Sequence, residues 1–103
     1  MRTNTYDLGS EQPPAKANEH VILIAGDLAG TARSAAFAYA KGASHIVLAS
    51  GNDDAGLSLA RDLRSRNIDA VFVHANPGSE AEIRALVDVT TQHYGHLDVE
   101  YRQ

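Results

Sequence analysis

The stretch from Val21 to Lys41, VILIAGDLAGTARSAAFAYAK, restricts what this chain can fold into more than any other. Its start, with His20 ahead of it, makes a short continuous run from His20 to Ala25, β-branched at Val21, Ile22 and Ile24, as in a strand buried on both faces. The run ends at Ala25-Gly26. From Gly30 the period changes: Ala32, Ala35, Ala36, Tyr39 and Ala40 form one helical stripe of mostly small side chains. A stripe this small lets the helix lie close on a sheet. Lys41 suits the negative end of the helix dipole, and Gly42 is expected to supply the left-handed residue that ends the helix. A strand, a glycine turn and a helix in succession bring helix-start N–H groups and the helix dipole to the turn, which is where an anion such as a pyrophosphate is received.

The same unit then repeats in weaker form. His45 to Ser50, HIVLAS, reads as a second strand, Gly51-Asn52-Asp53 as a turn, and Asp53 or Asp54 as a helix start. Gly56, Leu59, Ala60 and Leu63 recur at helical spacing to about Arg66, with Arg61, Asp62, Arg64 and Ser65 on the wet face. Asp69 to His74, DAVFVH, is a third strand, and Asn76-Pro77-Gly78 is a turn. Ser79 with Glu82 three residues on makes a capping box, so a helix begins there with the stripe Ile83, Leu86, Val87, Thr90 and Tyr94, closed by Gly95. In Leu97 to Gln103, Leu97, Val99 and Tyr101 alternate with Asp98, Glu100 and Arg102, which predicts an edge strand with one wet face. Crossovers of helical length predict a parallel sheet covered on both faces, and right-handed connections give the strand order 3-2-1-4 with a crevice at the carboxyl ends where the order reverses.

The remaining composition excludes several classes. At 103 residues the chain fits one domain, and its formal charge of −4 gives no electrostatic reason to expect a nucleic-acid partner. The absence of cysteine removes disulfides, thiolate catalysis and cysteine-based zinc sites, and allows a reducing compartment. Residues 1–19 are polar, carry Gly9, Pro13 and Pro14, and read as a flexible tail ahead of a domain over residues 20–103. No apolar run reaches the roughly 20 residues of a membrane span, so a soluble, cytoplasmic protein is expected. The five histidines show no metal-ligand spacing, and no metal is expected.

Two segments carry a resemblance. Ala25-Gly26-Asp27-Leu28-Ala29-Gly30-Thr31-Ala32 occupies the positions of the T-G-x-x-x-G-x-G cofactor turn of the short-chain dehydrogenase/reductase family, keeping two of its three glycines. Tyr94-Gly95-His96-Leu97-Asp98-Val99 resembles that family's aromatic-glycine-x-leucine-aspartate segment leading into the fourth strand. GASHIVLAS is also similar to ketoreductase domains of polyketide synthases, a branch of the same superfamily. The resemblance runs from about His20 to Val99, the amino-terminal half of a family member. It implies an α/β, Rossmann-like three-layer sandwich, truncated after the fourth strand.

It also implies a dinucleotide cofactor. Gly26 would permit the tight turn and Gly30 the close approach of backbone to pyrophosphate. Ala32 adds a methyl where glycine is usual, and overpacking a tight site costs about 1–3 kcal/mol, so affinity is expected to be weakened or lost. Ser50 stands where NAD-preferring folds place an acidic residue, which favours NADP over NAD. Asn76 stands where the family has an aspartate that contacts adenine, and its amide oxygen is able to accept the same hydrogen bond. The expected cofactor-binding residues are therefore Gly26, Asp27, Leu28, Gly30, Ser50 and Asn76, mostly through backbone groups. The family's catalysis uses a tyrosine with a lysine four residues on, and no such pair exists here, because the lysines are Lys16 and Lys41 and the tyrosines Tyr6, Tyr39, Tyr94 and Tyr101. Two functions follow as expectations: a dinucleotide-binding half domain without its own catalytic residues, or an assembly module that kept the fold and lost the cofactor. Open sheet edges would then favour a homo-oligomer or a partner chain.

Overall fold

The computed structural model describes residues 19–42 and 45–102. The expected tail lies outside the described residues except for Glu19. Four parallel strands, β1 Val21–Ala25, β2 His45–Ser50, β3 Asp69–His74 and β4 Val99–Arg102, form one sheet in the order β3-β2-β1-β4. Between them run α1 Thr31–Ala40, α2 Asp53–Arg64 and α3 Glu80–Tyr94.

The unbroken apolar runs of β1 and β2 are explained by two cores. Ile22, Ile24, Ile46 and Leu48 face α1 and α2, packing with Ala32, Ala36, Leu59, Ala60 and Leu63. Val21, Leu23, Val47 and Ala49 face α3, packing with Ile83, Leu86 and Tyr94. A strand with period-2 side chains that is wetted on neither face has no reason to alternate polar residues. The small residues set the layer spacing. A Cβ added at Gly56 would come within 2.1 Å of the Phe72 ring, so only glycine lets α2 close onto β3 at that point.

Local details depart from the sequence reading in four places. Gly42 does not take the left-handed position; its N–H donates to the Tyr39 carbonyl at 3.1 Å, and this tight i to i−3 bond satisfies a terminal carbonyl without a positive φ. The cap of α2 is Asn52, one residue earlier than expected: its Oδ1 accepts the Ala55 N–H, which leaves Asp53 and Asp54 in the first turn. That helix ends at Arg64, and Asn67, at φ 64°, turns the chain into β3. Ser79 does cap α3 by accepting the Glu82 N–H at 3.2 Å, but Glu82 reaches past it and accepts the Asn76 N–H at 2.9 Å, so the box is only half closed. Finally, Leu97 packs with the α3-side core while Val99 and Tyr101 pack on the α1/α2 side, because β4 begins only at Val99 and the pleat does not extend back to Leu97. Gly95 closes α3 as expected, at φ 95° with its N–H on the Thr91 carbonyl.

Candidate functional site

The carboxyl ends of the first three strands lie side by side. Ala25 is in register with Ala49, and Ser50 with His74. The ladder continues one step past the strands: the Gly26 N–H donates to the Ala49 carbonyl at 3.1 Å, and the Ala75 N–H to the Ser50 carbonyl at 3.0 Å. Gly26, Ser50 and Asn76, 24 and more residues apart in sequence, are thus gathered at the carboxyl end of the sheet. Asp27, Leu28 and Gly30 belong to the turn that rises from it into α1.

That turn is held by the side chain of Leu28, a residue expected among the cofactor binders and not in the core. Leu28 adopts φ 60°, an unusual conformation for a bulky residue, and is 1% exposed within the α1/α2-side core. Its burial pins the turn and offsets the backbone strain, which is of order 1–3 kcal/mol. Only the backbone of Leu28 is left for a ligand. Gly30 follows at φ 55°, ψ −121°, with nothing within 4 Å of where a Cβ would stand. It offers α1 no side-chain cap, and the first helical bond runs from the Ser34 N–H to the Gly30 carbonyl at 3.0 Å. The N–H groups of Thr31, Ala32 and Arg33 therefore precede the first turn's hydrogen bonding, as donors available to an anion. Ala32 is fully buried against Ile22, Ile24 and Leu28, so its methyl fills the helix-sheet contact.

Three of the expected binding residues use their side chains on their own turns. Asp27 Oδ1 accepts the Ala29 N–H at 3.0 Å. Ser50 is 1% exposed and its Oγ accepts the Asn52 N–H at 2.9 Å. Asn76 Oδ1 accepts the Gly78 N–H at 2.9 Å. The Asp27 carboxylate also places negative charge in the turn that a phosphate would approach. Next to Ser50, His74 Nδ1 and Asp53 Oδ1 meet at 2.6 Å, tying the end of β3 to the start of α2. Sequence reasoning saw both residues but not the pair, because they lie 21 positions apart. Among the described residues no group of three histidine, aspartate or glutamate side chains is placed to hold a metal ion, and no helix is long and apolar enough to cross a membrane.

The donor set fits a pyrophosphate through backbone N–H groups and an open glycine, with the Asp27 charge as the opposing feature. The parallel strand order β3-β2-β1-β4 and the glycine turn into α1 together define a Rossmann-like module. Its homologues are oxidoreductases of the short-chain dehydrogenase/reductase family, as the segments Ala25–Ala32 and Tyr94–Val99 led one to expect. The chain is 28% identical over 91 residues to Short chain aldehyde dehydrogenase 1 of Euphorbia lathyris, covering 87% of this chain and 31% of that protein. Tropinone reductase-like 2 of Erythroxylum coca is 30% identical over 87 residues, covering 84% of this chain and 30% of its own length. An uncharacterized oxidoreductase of Bacillus subtilis, YxnA, is 26% identical over 103 residues, covering 93% and 29%. Among solved structures, a short chain dehydrogenase/reductase from Burkholderia phymatum in complex with NAD superposes with a TM-score of 0.71 at 23% identity, over 80% of this chain and 29% of that one. The chain thus spans about 30% of the length of the curated relatives it matches. No protein-family model matches it.

Proposed function

We propose that this chain is a dinucleotide-binding module that holds NADP or NAD at the turn from Gly26 to Gly30 and carries no catalytic pair of its own. The observation that carries this reading is the start of α1, where Gly30 exposes its backbone and leaves the next three N–H groups without a capping side chain. The pyrophosphate would lie there, the adenine ribose beside Ser50 and the adenine beside Asn76. Absence of a carboxylate at Ser50 favours NADP, and the NAD bound to the structural neighbour supports a nicotinamide dinucleotide in general. A cytoplasmic location accords with the absence of cysteine. Titration with NADPH and NADH, followed by nicotinamide fluorescence, tests the reading. A saturable change at or below about millimolar ligand, corresponding to about −4 kcal/mol, is expected; no saturable change at that concentration contradicts it.

A second reading, an assembly module without a cofactor, is favoured by the way Asp27, Ser50 and Asn76 each satisfy their own turns. Under it the β3 and β4 edges, each paired on one side only among the described residues, take a second copy or a partner chain. Light scattering separates the two: a monomer that responds to NADPH supports the first, and a stable oligomer without that response supports the second.

A further inference from the structure

The opposite pole of the sheet, where the strands begin, holds a second cluster of polar groups. His45 opens β2, and its ring nitrogens both face carboxylates: Nδ1 lies 2.6 Å from Asp69 Oδ2, and Nε2 lies 3.1 Å from Glu19 Oε1. Asp69 is the register neighbour of His45 at the start of β3, and Glu19 stands just before β1. The imidazole side chain is only 11% exposed and packs, tilted by 37°, against the buried Tyr94 ring from α3, with centroids 4.8 Å apart. His93 packs edge-on against Tyr94 at 4.6 Å.

Both carboxylates accept hydrogen bonds, and a neutral imidazole has only one N–H to give. The neutral ring would set a bare nitrogen lone pair against one carboxylate. Only imidazolium satisfies both contacts. Burial works against the charge, but the hydrogen bonds and charges of Asp69 and Glu19 outweigh it and raise His45 above its ordinary value of 6.5. The same environment acts on Tyr94, whose phenol is pushed up by burial first and by the Asp69 charge second.

Glu19 is also held by its backbone. His96 Nε2 donates to the Glu19 carbonyl at 2.8 Å and lies 3.2 Å from Asp98 Oδ2. Asp98 Oδ2 accepts the Val21 N–H at 2.8 Å, and His20 Nδ1 is 3.9 Å from the same oxygen. The His45 N–H donates to the His20 carbonyl at 3.1 Å. The chain leading into β1 is therefore fastened by side chains from β2 and from the segment before β4.

We propose that Glu19, His45 and Asp69 form a proton-operated latch on the segment leading into β1, closed while His45 is imidazolium and opened at Glu19 when the ring loses its proton. Asp69, nearer and fixed by strand register, keeps the remaining N–H on Nδ1; the bare Nε2 then faces the Glu19 carboxylate and repels it. Because the folded His45 value is raised, the latch contributes fully below the unfolded value of about 6.5 and is lost as pH rises through the folded one. His96 and Asp98, from the segment before β4, and His20, within the latched segment itself, are further ionisable groups at this pole.

The test is residue-resolved amide hydrogen exchange on the full chain, corrected for intrinsic rates, between about pH 6 and about pH 9, together with NMR titration of the histidine rings. Protection of the Val21 and His45 amides is expected to fall about fivefold or more across this range, while that of Ala25 and Ala49 at the far pole stays level. Glu19→Gln, which removes the repelled charge, is expected to abolish the fall at Val21; His45→Gln is expected to do the same if it folds. A His45 ring that titrates at or below the ordinary histidine value in the unaltered chain overturns the latch. So does a Val21 amide indifferent to pH, or a Glu19→Gln chain that keeps the original response, which would assign the effect to His20 or His96.

Discussion

Gly26 donates its N–H to the carbonyl of Ala49 at 3.1 Å, so the β1–β2 ladder runs one rung beyond the strand and into the turn. This bond fixes where the turn leaves the sheet. Leu28 then buries its side chain beneath the turn, and Gly30 opens α1 above it. A turn anchored below and bare above has its donors pre-arranged, which lowers the ordering cost of binding an anion.

Asp27→Ala is expected to tighten dinucleotide binding. The carboxylate holds the Ala29 N–H and stands beside the proposed pyrophosphate position; two unit charges about 4 Å apart in water repel by about 1 kcal/mol, or about fivefold in affinity. Paired NADPH titrations of the two chains measure this. Weaker binding by the variant would mean that the Asp27 turn is needed to shape the site.

Gly51→Arg is expected to select NADPH. Gly51 is exposed, has no positive φ, and nothing lies within 4 Å of a Cβ built there, so a side chain is accommodated without strain. A guanidinium beside Ser50 would meet the 2′-phosphate, and a charged hydrogen bond contributes about 1.5–3 kcal/mol, so the NADPH/NADH affinity ratio should rise about tenfold or more. An unchanged ratio would place the ribose elsewhere.

Gly56→Ala is expected to destabilise the fold by about 1–3 kcal/mol through overpacking against the Phe72 ring. Urea denaturation of the single variant and of Gly56→Ala with Phe72→Leu reads this out. The double variant should recover part of the loss, and strict additivity would argue that the two positions do not touch.

The order of elements was legible in the sequence because each buried strand and each striped helix announces its own period. HIVLAS and DAVFVH read as β2 and β3 with the observed ends, and the stripe of Gly56, Leu59, Ala60 and Leu63 is buried throughout. What escaped were choices between near-equivalent partners. Asn52 outcompeted Asp53 for the α2 cap, and Glu82 accepted the Asn76 N–H in place of that of Ser79. The strained turn at Leu28 escaped for a different reason: its φ is sustained by burial in the core, and no local residue preference marks it. Pairings across strands were invisible for want of any local signal. His45 read as a strand start until the sheet brought Asp69, 24 residues away, and Glu19, 26 residues away, to its two nitrogens.

The proposed function requires the turn from Gly26 to Gly30 to receive a dinucleotide, and backbone amide shift mapping with NADPH tests this most directly. The predicted result is a saturable, contiguous set of shifts at residues 26–33, with a second set at Ser50–Asn52 and at Asn76, the three places the strand register brings to the carboxyl end of the sheet. Shifts absent at about millimolar ligand, or confined to residues away from that end of the sheet, would contradict it.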